Sequence, residues 1–328
     1  AYRGKSPSTL CSGCGHDSIT NQIIKAFYES GVEPHRIAKM SGIGCSSKTP
    51  AYFFSKSHGF NGVHGRMPSL ATGAMLANRE LICIGISGDG DTASIGLGQF
   101  CHLLRRNVPM IYVIENNGVY GLTKGQFSAT ADTGSKSKRG VVNRDSSVDL
   151  IGLALQVGAT FVARSFSGDK EQLVPLIKAA IEHEGAAFLD IISPCVAFNN
   201  HPGSTKSYDY VRAHNEVVNR LDFIPKREAI TAEYQAGSLE EVLQHDGSVL
   251  KFRKIADDYD PQDRTAAMTY LQHRAEHGEI VTGLLYVERE PEDLHTHLGT
   301  VKAPLNSLTE RELCPGVATL NDINDSLR

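Results

Sequence analysis

A chain of 328 residues with 41% hydrophobic residues and a formal net charge of −4 can bury one large core or two modest ones. That mild negative balance does not suggest a nucleic-acid or membrane surface, and no apolar run approaches the roughly 20 residues a bilayer-spanning helix requires. No signal peptide is visible, so the expected compartment is the cytoplasm, where seven cysteines, an odd count, point to metal or redox work rather than to a closed disulfide set.

Residues 1–10 are polar and read as extended. The next six, Cys11-Ser12-Gly13-Cys14-Gly15-His16, hold two thiols in a glycine-rich loop, and their spacing lets both sulfurs face one metal. A helix follows, with Asp17 or Ser18 as its cap, Ile19, Ile23, Ile24 and Phe27 as its buried stripe, and Gly31 after its end. Alone, the pair leaves zinc, a redox dithiol and an iron–sulfur cluster open. A thioredoxin-like pair opens a helix directly after a strand, and no strand is expected before this one. Residues 36–43 read as a strand ending in Gly44-Cys45-Ser46-Ser47-Lys48, a third cysteine at a strand end. Residues 59–77 read as a glycine-rich turn, with His64 and Arg66 in it, and then a helix of small residues that can pack closely on a sheet.

The most specific stretch runs from 82 to 126. Residues 82–87 form a short apolar run with β-branched members, suited to a buried parallel strand. Gly88-Asp89-Gly90-Asp91 stands at its carboxyl end. Residues 97–104 carry helical spacing, 109–114 form a second buried strand, and Asn116-Asn117-Gly118 closes it. Glycines let a backbone approach a phosphate, and the following helix turns its positive end toward it. Asp89 and an Asn carbonyl are hard oxygen donors of the kind Mg²⁺ shares with phosphates. The pattern matches neither GxGxxG nor a Walker lysine motif. It is the thiamine diphosphate signature, and it places both donor sets on the edge where open α/β sheets bind ligands.

Residues 130–145 are polar and glycine-bearing and read as a loop over the site or at a partner interface. A helix at 149–155, a strand at 160–164, an amphipathic helix at 170–184 and a strand at 187–192 follow, and Ser193-Pro194-Cys195 sets a fourth cysteine at a strand end. Cys83 and Cys101 read as core. Strands and helices thus alternate from 17 to 195, which predicts a doubly wound, mostly parallel α/β sheet. The expected organisation is a 1–200 cofactor domain and a 201–328 C-terminal extension. In that extension 261–276 reads as helical, 283–289 as a strand, and the last thirty residues as an extended tail lying on a partner.

Four thiolates from loops on one sheet edge suit a structural zinc or a 4Fe–4S cluster. One close pair joined to two distant single cysteines favours the cluster. The binding features cover only the diphosphate end of the cofactor, and no second domain of that type fits in the remaining residues. The site is therefore expected to need a partner.

Residues 8–200, through CSGCGH, GIGCSS, HGR, SGDGD, NNGVYGLTKGQ and SPC, resemble the β subunit of 2-oxoacid:ferredoxin oxidoreductases. The resemblance implies the thiamine diphosphate-binding (PP-domain) fold, a CoA-acylating oxidative decarboxylation of a 2-oxoacid, possible reverse carboxylation, ferredoxin as electron acceptor, and an α subunit in an αβ or α2β2 assembly. It implies Mg²⁺ on Asp89, Asn117 and the Val119 carbonyl, and a 4Fe–4S cluster on Cys11, Cys14, Cys45 and Cys195. Gly44, Cys45, Ser46, His64, Gly88, Gly90, Asp91, Asn116, Gly121 and Leu122 border the cofactor on the same grounds. Lys48 and Lys124, with His64, are the expected catalytic groups. Two loop lysines favour a substrate with a second carboxylate, 2-oxoglutarate over pyruvate. A pyruvate or broad-range member of the family is the alternative, and a non-oxidative thiamine diphosphate decarboxylase or synthase is a further one.

Overall fold

Side chains alternate between the two faces of a strand, and here each face feeds its own apolar layer. The computed structural model describes residues 1–4, 7–123, 125–135, 141–196, 228–245, 247–314 and 316–328. Six strands, β1 (Ile37–Ser41), β2 (His58–Asn61), β3 (Ile82–Gly88), β4 (Met110–Asn116), β7 (Phe161–Phe166) and β8 (Ala186–Ile192), run parallel in the order β2-β1-β3-β4-β8-β7. Along β4, Met110, Tyr112 and Ile114 enter one cluster with Phe100 and Phe188. Ile111 and Val113 enter the other with Ile84, Ile86 and Leu189.

Helices cover both clusters. On the Ile111 side lie α1 (Gly15–Glu29), through Ile19, Ile23 and Phe27, and α5 (Lys170–Glu182), through Leu173 and Ile177. On the Tyr112 side lie α2 (Met67–Ala77), α3 (Leu97–Arg105) and α4 (Leu150–Gln156). Aspartates start two of these helices. Asp169 accepts from the Gln172 N–H at 3.0 Å, and Asp149 accepts from the Ile151 N–H at 3.1 Å. This is the doubly wound, mostly parallel sheet that the alternating pattern predicted.

The sheet does not stop at residue 200. Strand β11 (Glu279–Val287) pairs antiparallel with β7, β10 (Val249–Lys254) pairs parallel with β11, and β9 (Leu239–Leu243) closes the edge antiparallel to β10. The result is one nine-stranded sheet, and β5 (Val119–Tyr120) and β6 (Gln126–Phe127) pair antiparallel apart from it. The charged residues of β9 and β10 hide them in the sequence. Their apolar members, Val242 and Phe252, pack with Phe166 in a small third cluster. A helix α6 (Arg264–Glu276) precedes β11, with Asp263 accepting from the Ala266 N–H at 2.9 Å.

Two expectations change. Strand β2 falls inside what reads as a turn, because all four of its residues are exposed and only backbone pairing to β1 defines it. The tail is not extended throughout. It holds α7 (Leu294–Leu298), α8 (Glu310–Leu313), which a Thr309–Glu312 capping box starts, and α9 (Gly316–Ser326). Among the described residues, no helix is long and apolar enough to cross a membrane.

Phe188 is fully buried, with its ring centroid 4.9 Å from Phe100 and 6.2 Å from Tyr112. Phe188→Ala is expected to lower unfolding free energy by about 3–5 kcal/mol in urea titration, whereas the exposed Lys170→Ala should stay within about 0.5 kcal/mol.

Candidate cofactor and cysteine site at the carboxyl edge of the sheet

Because six strands are parallel, the segments that follow them emerge on one edge. Residues 42–48 follow β1, 62–66 follow β2, 89–91 follow β3, 117–122 follow β4 and 193–195 follow β8. The CxxC loop joins them from the start of α1. The Gly15 N–H donates to the Pro194 carbonyl at 3.4 Å, and the Cys14 N–H to the Cys11 carbonyl at 3.0 Å. All the expected binding segments therefore share one rim.

Asp91 fixes three of them. One carboxylate oxygen accepts from the Gly65 N–H at 2.7 Å. The other accepts from the Ile43 N–H at 3.2 Å and the Ser87 hydroxyl at 2.9 Å. Asp91 is 2% exposed, so this is a buried clamp rather than a solvated turn residue. Gly42 lies against the clamp, and a side chain there would run into the Asp91 carboxylate. Gly44 has φ +83°, the left-handed region that glycine reaches without strain.

Asp89 is 1% exposed and forms no ion pair among the described residues. Burial raises its carboxyl pKa, while hydrogen bonds from Ser128, Thr130 and the Asn117 backbone pull the other way. The Asn117 N–H donates to Asp89 Oδ1 at 3.1 Å, and the Asn117 side-chain oxygen accepts from the Val119 N–H at 3.1 Å. The carboxylate, the amide oxygen and the Val119 backbone thus lie within one turn, shaped by Gly118 at φ +74°. Ser128 and Thr130 both donate to Asp89 Oδ2, Thr130 at 2.8 Å. These two residues escaped sequence reading. Their only signal is a pair of hydroxyls eleven and thirteen residues beyond Asn117.

The rim uses several predicted residues in specific ways. The ring of Tyr120 lies on Gly90, where a Cβ would meet it at 2.6 Å, and its hydroxyl donates to the Gly90 carbonyl at 2.9 Å. Gly88 faces Ser46, where an added Cβ would stand 3.2 Å from the hydroxyl. Asn116 turns away, donating to Asp190 at 3.0 Å and accepting from Thr130 at 3.2 Å. His64 and Leu122 are exposed on the rim. Lys124 lies outside the described residues.

Two of the thiols meet at Gly121. A Cβ at that glycine would stand 3.4 Å from the Cys45 sulfur and 3.6 Å from the Cys195 sulfur. Burial pushes the Cys14 thiol well up, and Cys195, Glu115 and Cys11 add to that. The Cys45 thiol is raised by burial, with Cys11 and Glu115 adding, while Lys48 pulls it down. Cys14 is therefore an electrostatic neighbour of Cys11 and Cys195, and Cys45 of Cys11. Cys83 is the buried strand residue expected from the sequence, and no disulfide forms among the described residues.

Beneath the thiols lies a polar group that the sequence did not reveal. Glu115 is fully buried, neither of its oxygens has a hydrogen-bond partner, and burial raises its pKa well above the usual carboxylate range. His16 Nδ1 is 3.8 Å from Glu115 and 2.5 Å from the Ser193 hydroxyl, and burial lowers the imidazole pKa to about 4. Glu115, an acid without a hydrogen bond beside the Cys14 and Cys45 thiols, and Asp89, a buried acid without a cation among the described residues, are groups that a bound cation would compensate.

Comparison with known proteins agrees with this geometry. Residues 42–191 match the thiamine pyrophosphate enzyme, C-terminal TPP binding domain. A 2-oxoacid:ferredoxin oxidoreductase subunit beta from Sulfolobus is 41% identical over 216 residues, 66% of this chain and 68% of that protein. The 2-oxoglutarate oxidoreductase subunit KorB of Mycobacterium tuberculosis is 40% identical over 191 residues, 58% of this chain and 51% of that one. A solved 2-oxoglutarate:ferredoxin oxidoreductase from Magnetococcus marinus, with 2-oxoglutarate, coenzyme A and succinyl-CoA bound, superposes with a TM-score of 0.73 at 31% identity, covering 95% of this chain and 92% of that chain.

Two outcomes follow from the clamp and the hydroxyl pair. Asp91→Asn turns an amide NH₂ toward backbone donors and should cost about 1–3 kcal/mol in urea unfolding. Ser128→Ala with Thr130→Val should raise the Mg²⁺ concentration needed for half-maximal thiamine diphosphate binding by about 10–100-fold in calorimetry, with the urea midpoint changed far less.

Proposed function

The chain belongs to the β subunits of the 2-oxoacid:ferredoxin oxidoreductases, and from that premise we propose that, with an α subunit, it carries out the coenzyme A-dependent oxidative decarboxylation of 2-oxoglutarate to succinyl-CoA and carbon dioxide, passing electrons through a 4Fe–4S cluster to ferredoxin. One observation carries the reading. A single short loop holds Asn117, beside the Asp89 carboxylate, at one end and Gly121, flanked by the Cys45 and Cys195 sulfurs, at the other. Four residues of chain span at most about 14 Å, so a metal-clamped diphosphate and a thiolate-held cluster would be close neighbours.

The residues fit both groups. Asp89, the Asn117 side-chain oxygen and the Val119 carbonyl offer the hard oxygens that Mg²⁺ takes together with phosphates. Cys11, Cys14, Cys45 and Cys195 would hold the cluster. Among the described residues, no three His, Cys, Asp or Glu side chains are placed to share one metal ion. A structural zinc draws its ligands to about 2.3 Å from a single point. One close cysteine pair joined to two single cysteines distant in sequence suits a multi-iron cluster better. When bound, thiamine diphosphate supplies the electron sink for decarboxylation and the cluster takes electrons singly.

The protein's own part is placement. Asp91 holds the 43 and 65 backbones against the diphosphate turn. Gly88 keeps that turn against Ser46. Lys48, next to Cys45, offers a cation for the second carboxylate of 2-oxoglutarate, with Lys124 in the same role. The binding features of this chain lie at the diphosphate end of the cofactor, and as a β subunit it would have its site completed by the α subunit. The relatives named for 2-oxoglutarate support this substrate, and the broader 2-oxoacid name of the Sulfolobus protein marks the rival.

Co-expressed with its α subunit and purified without oxygen, the protein is expected to carry iron, sulfide and thiamine. Cys45→Ser should lose the iron and sulfide. Turnover of 2-oxoglutarate should exceed that of pyruvate about tenfold or more, a difference of at least about 1.4 kcal/mol, and Lys48→Ala should erase most of that preference. Equal turnover of both oxoacids, unchanged in the variant, would remove the substrate assignment.

A further inference from the structure

Ser193 stands where three segments meet, and the function proposed above gives it no role. Its backbone N–H donates to the Asn116 carbonyl at 2.7 Å, at the end of β4. Its hydroxyl lies 2.5 Å from His16 Nδ1, in the first turn of α1. The next residue, Pro194, accepts from the Gly15 N–H. A Cβ at Gly15 would stand 2.6 Å from the Ser193 hydroxyl, so the first turn of α1 and this loop are in close contact. Ser193 is fully buried and His16 is 1% exposed. Solvent therefore offers neither group a substitute partner.

The chain neighbours of this bond matter. His16 is two residues past Cys14, and Ser193 is two residues before Cys195. Cys14 and Cys195 come from segments about 180 residues apart in sequence, yet they are electrostatic neighbours. The same serine also ties their loops to the strand end that carries Asn117. We propose that Ser193 is a positioning residue: through His16 and the Asn116 carbonyl it fixes the separation of the Cys14 and Cys195 sulfurs and their register to the diphosphate-binding turn. The proposal rests on the cluster reading above. Outer-shell partners that orient metal ligands typically matter 10–100-fold for metal retention.

The test uses the complete αβ enzyme, purified without oxygen, as wild type, Ser193→Ala, Ser193→Thr and His16→Gln. The readouts are iron release to a ferrous chelator, the electron paramagnetic resonance spectrum of the reduced protein, and the cluster's midpoint potential. Ser193→Ala and His16→Gln should each release iron about tenfold faster and shift both the g values and the potential. Ser193→Thr, which keeps the hydroxyl, should restore wild-type values. Far-ultraviolet circular dichroism and the thermal midpoint separate this from a failure to fold. If Ser193→Ala does not fold, His16→Gln decides alone. An iron-bearing wild type whose folded Ser193→Ala or His16→Gln variant keeps the same spectrum and release rate overturns the positioning role and leaves the function standing. An iron-free wild type overturns both.

Discussion

A buried carboxylate must be satisfied by the protein around it, and Asp91 obtains its partners from three places at once. It takes the Ile43 and Gly65 backbone donors and the Ser87 hydroxyl. Each belongs to a different strand end, and the acid joins them beyond the last backbone pairs of β1 with β2 and β3. Unmet hydrogen-bonding capacity at a buried charge is costly enough to make such a clamp rigid. The rim that holds Asp89, Asn117 and the cysteine loops owes its shape to this one group. The parallel sheet brings the loops to a common edge, and Asp91 fixes how three of them sit against one another.

Around that frame the protein concentrates groups that burial makes unfavourable. Asp89 has no cationic partner among the described residues, Glu115 has no hydrogen bond, and the Cys14 and Cys45 thiols are pushed upward. A core evolved for stability alone would replace such groups with apolar ones. Their concentration at one edge, while the rest of the sheet packs Phe, Ile and Val in two dry layers, separates the part of the molecule that holds it together from the part that does chemistry.

The three added strands show how much the sheet can absorb. Strand β11 pairs with β7 on the side away from β2. Residues 239–287 thereby enlarge the scaffold without covering the strand ends that carry Asp89 and Cys45. The solved relative, which covers 95% of this chain, shares that extent. The exposed apolar residues of the tail, among them Val317, Leu320 and Ile323, lie on a helix with no buried face.

Much of this was legible before any coordinates. Apolar runs at 82–87 and 109–114 mark buried parallel strands, because a strand covered on both faces needs no polar alternation. GDG and NN at the ends of those strands marked the cofactor edge, because glycine and short polar side chains have few other uses there. Four cysteines in loops stood out as a set, and two of them, Cys45 and Cys195, meet at Gly121 in the fold. Strands β2 and β9, the Asp91 clamp, the Ser128 and Thr130 hydroxyls on Asp89, and the Ser193–His16 bond were not legible. Apart from Ser87, four residues from Asp91, each depends on a partner 26 to 177 residues away, or on backbone pairing that leaves most side chains exposed. A sequence determines what each residue can offer locally, through its size, charge and backbone freedom. Which offers meet across the chain is decided only when the parallel sheet closes the distance, since hydrogen bonds act over about 3 Å and periodicity carries no record of them.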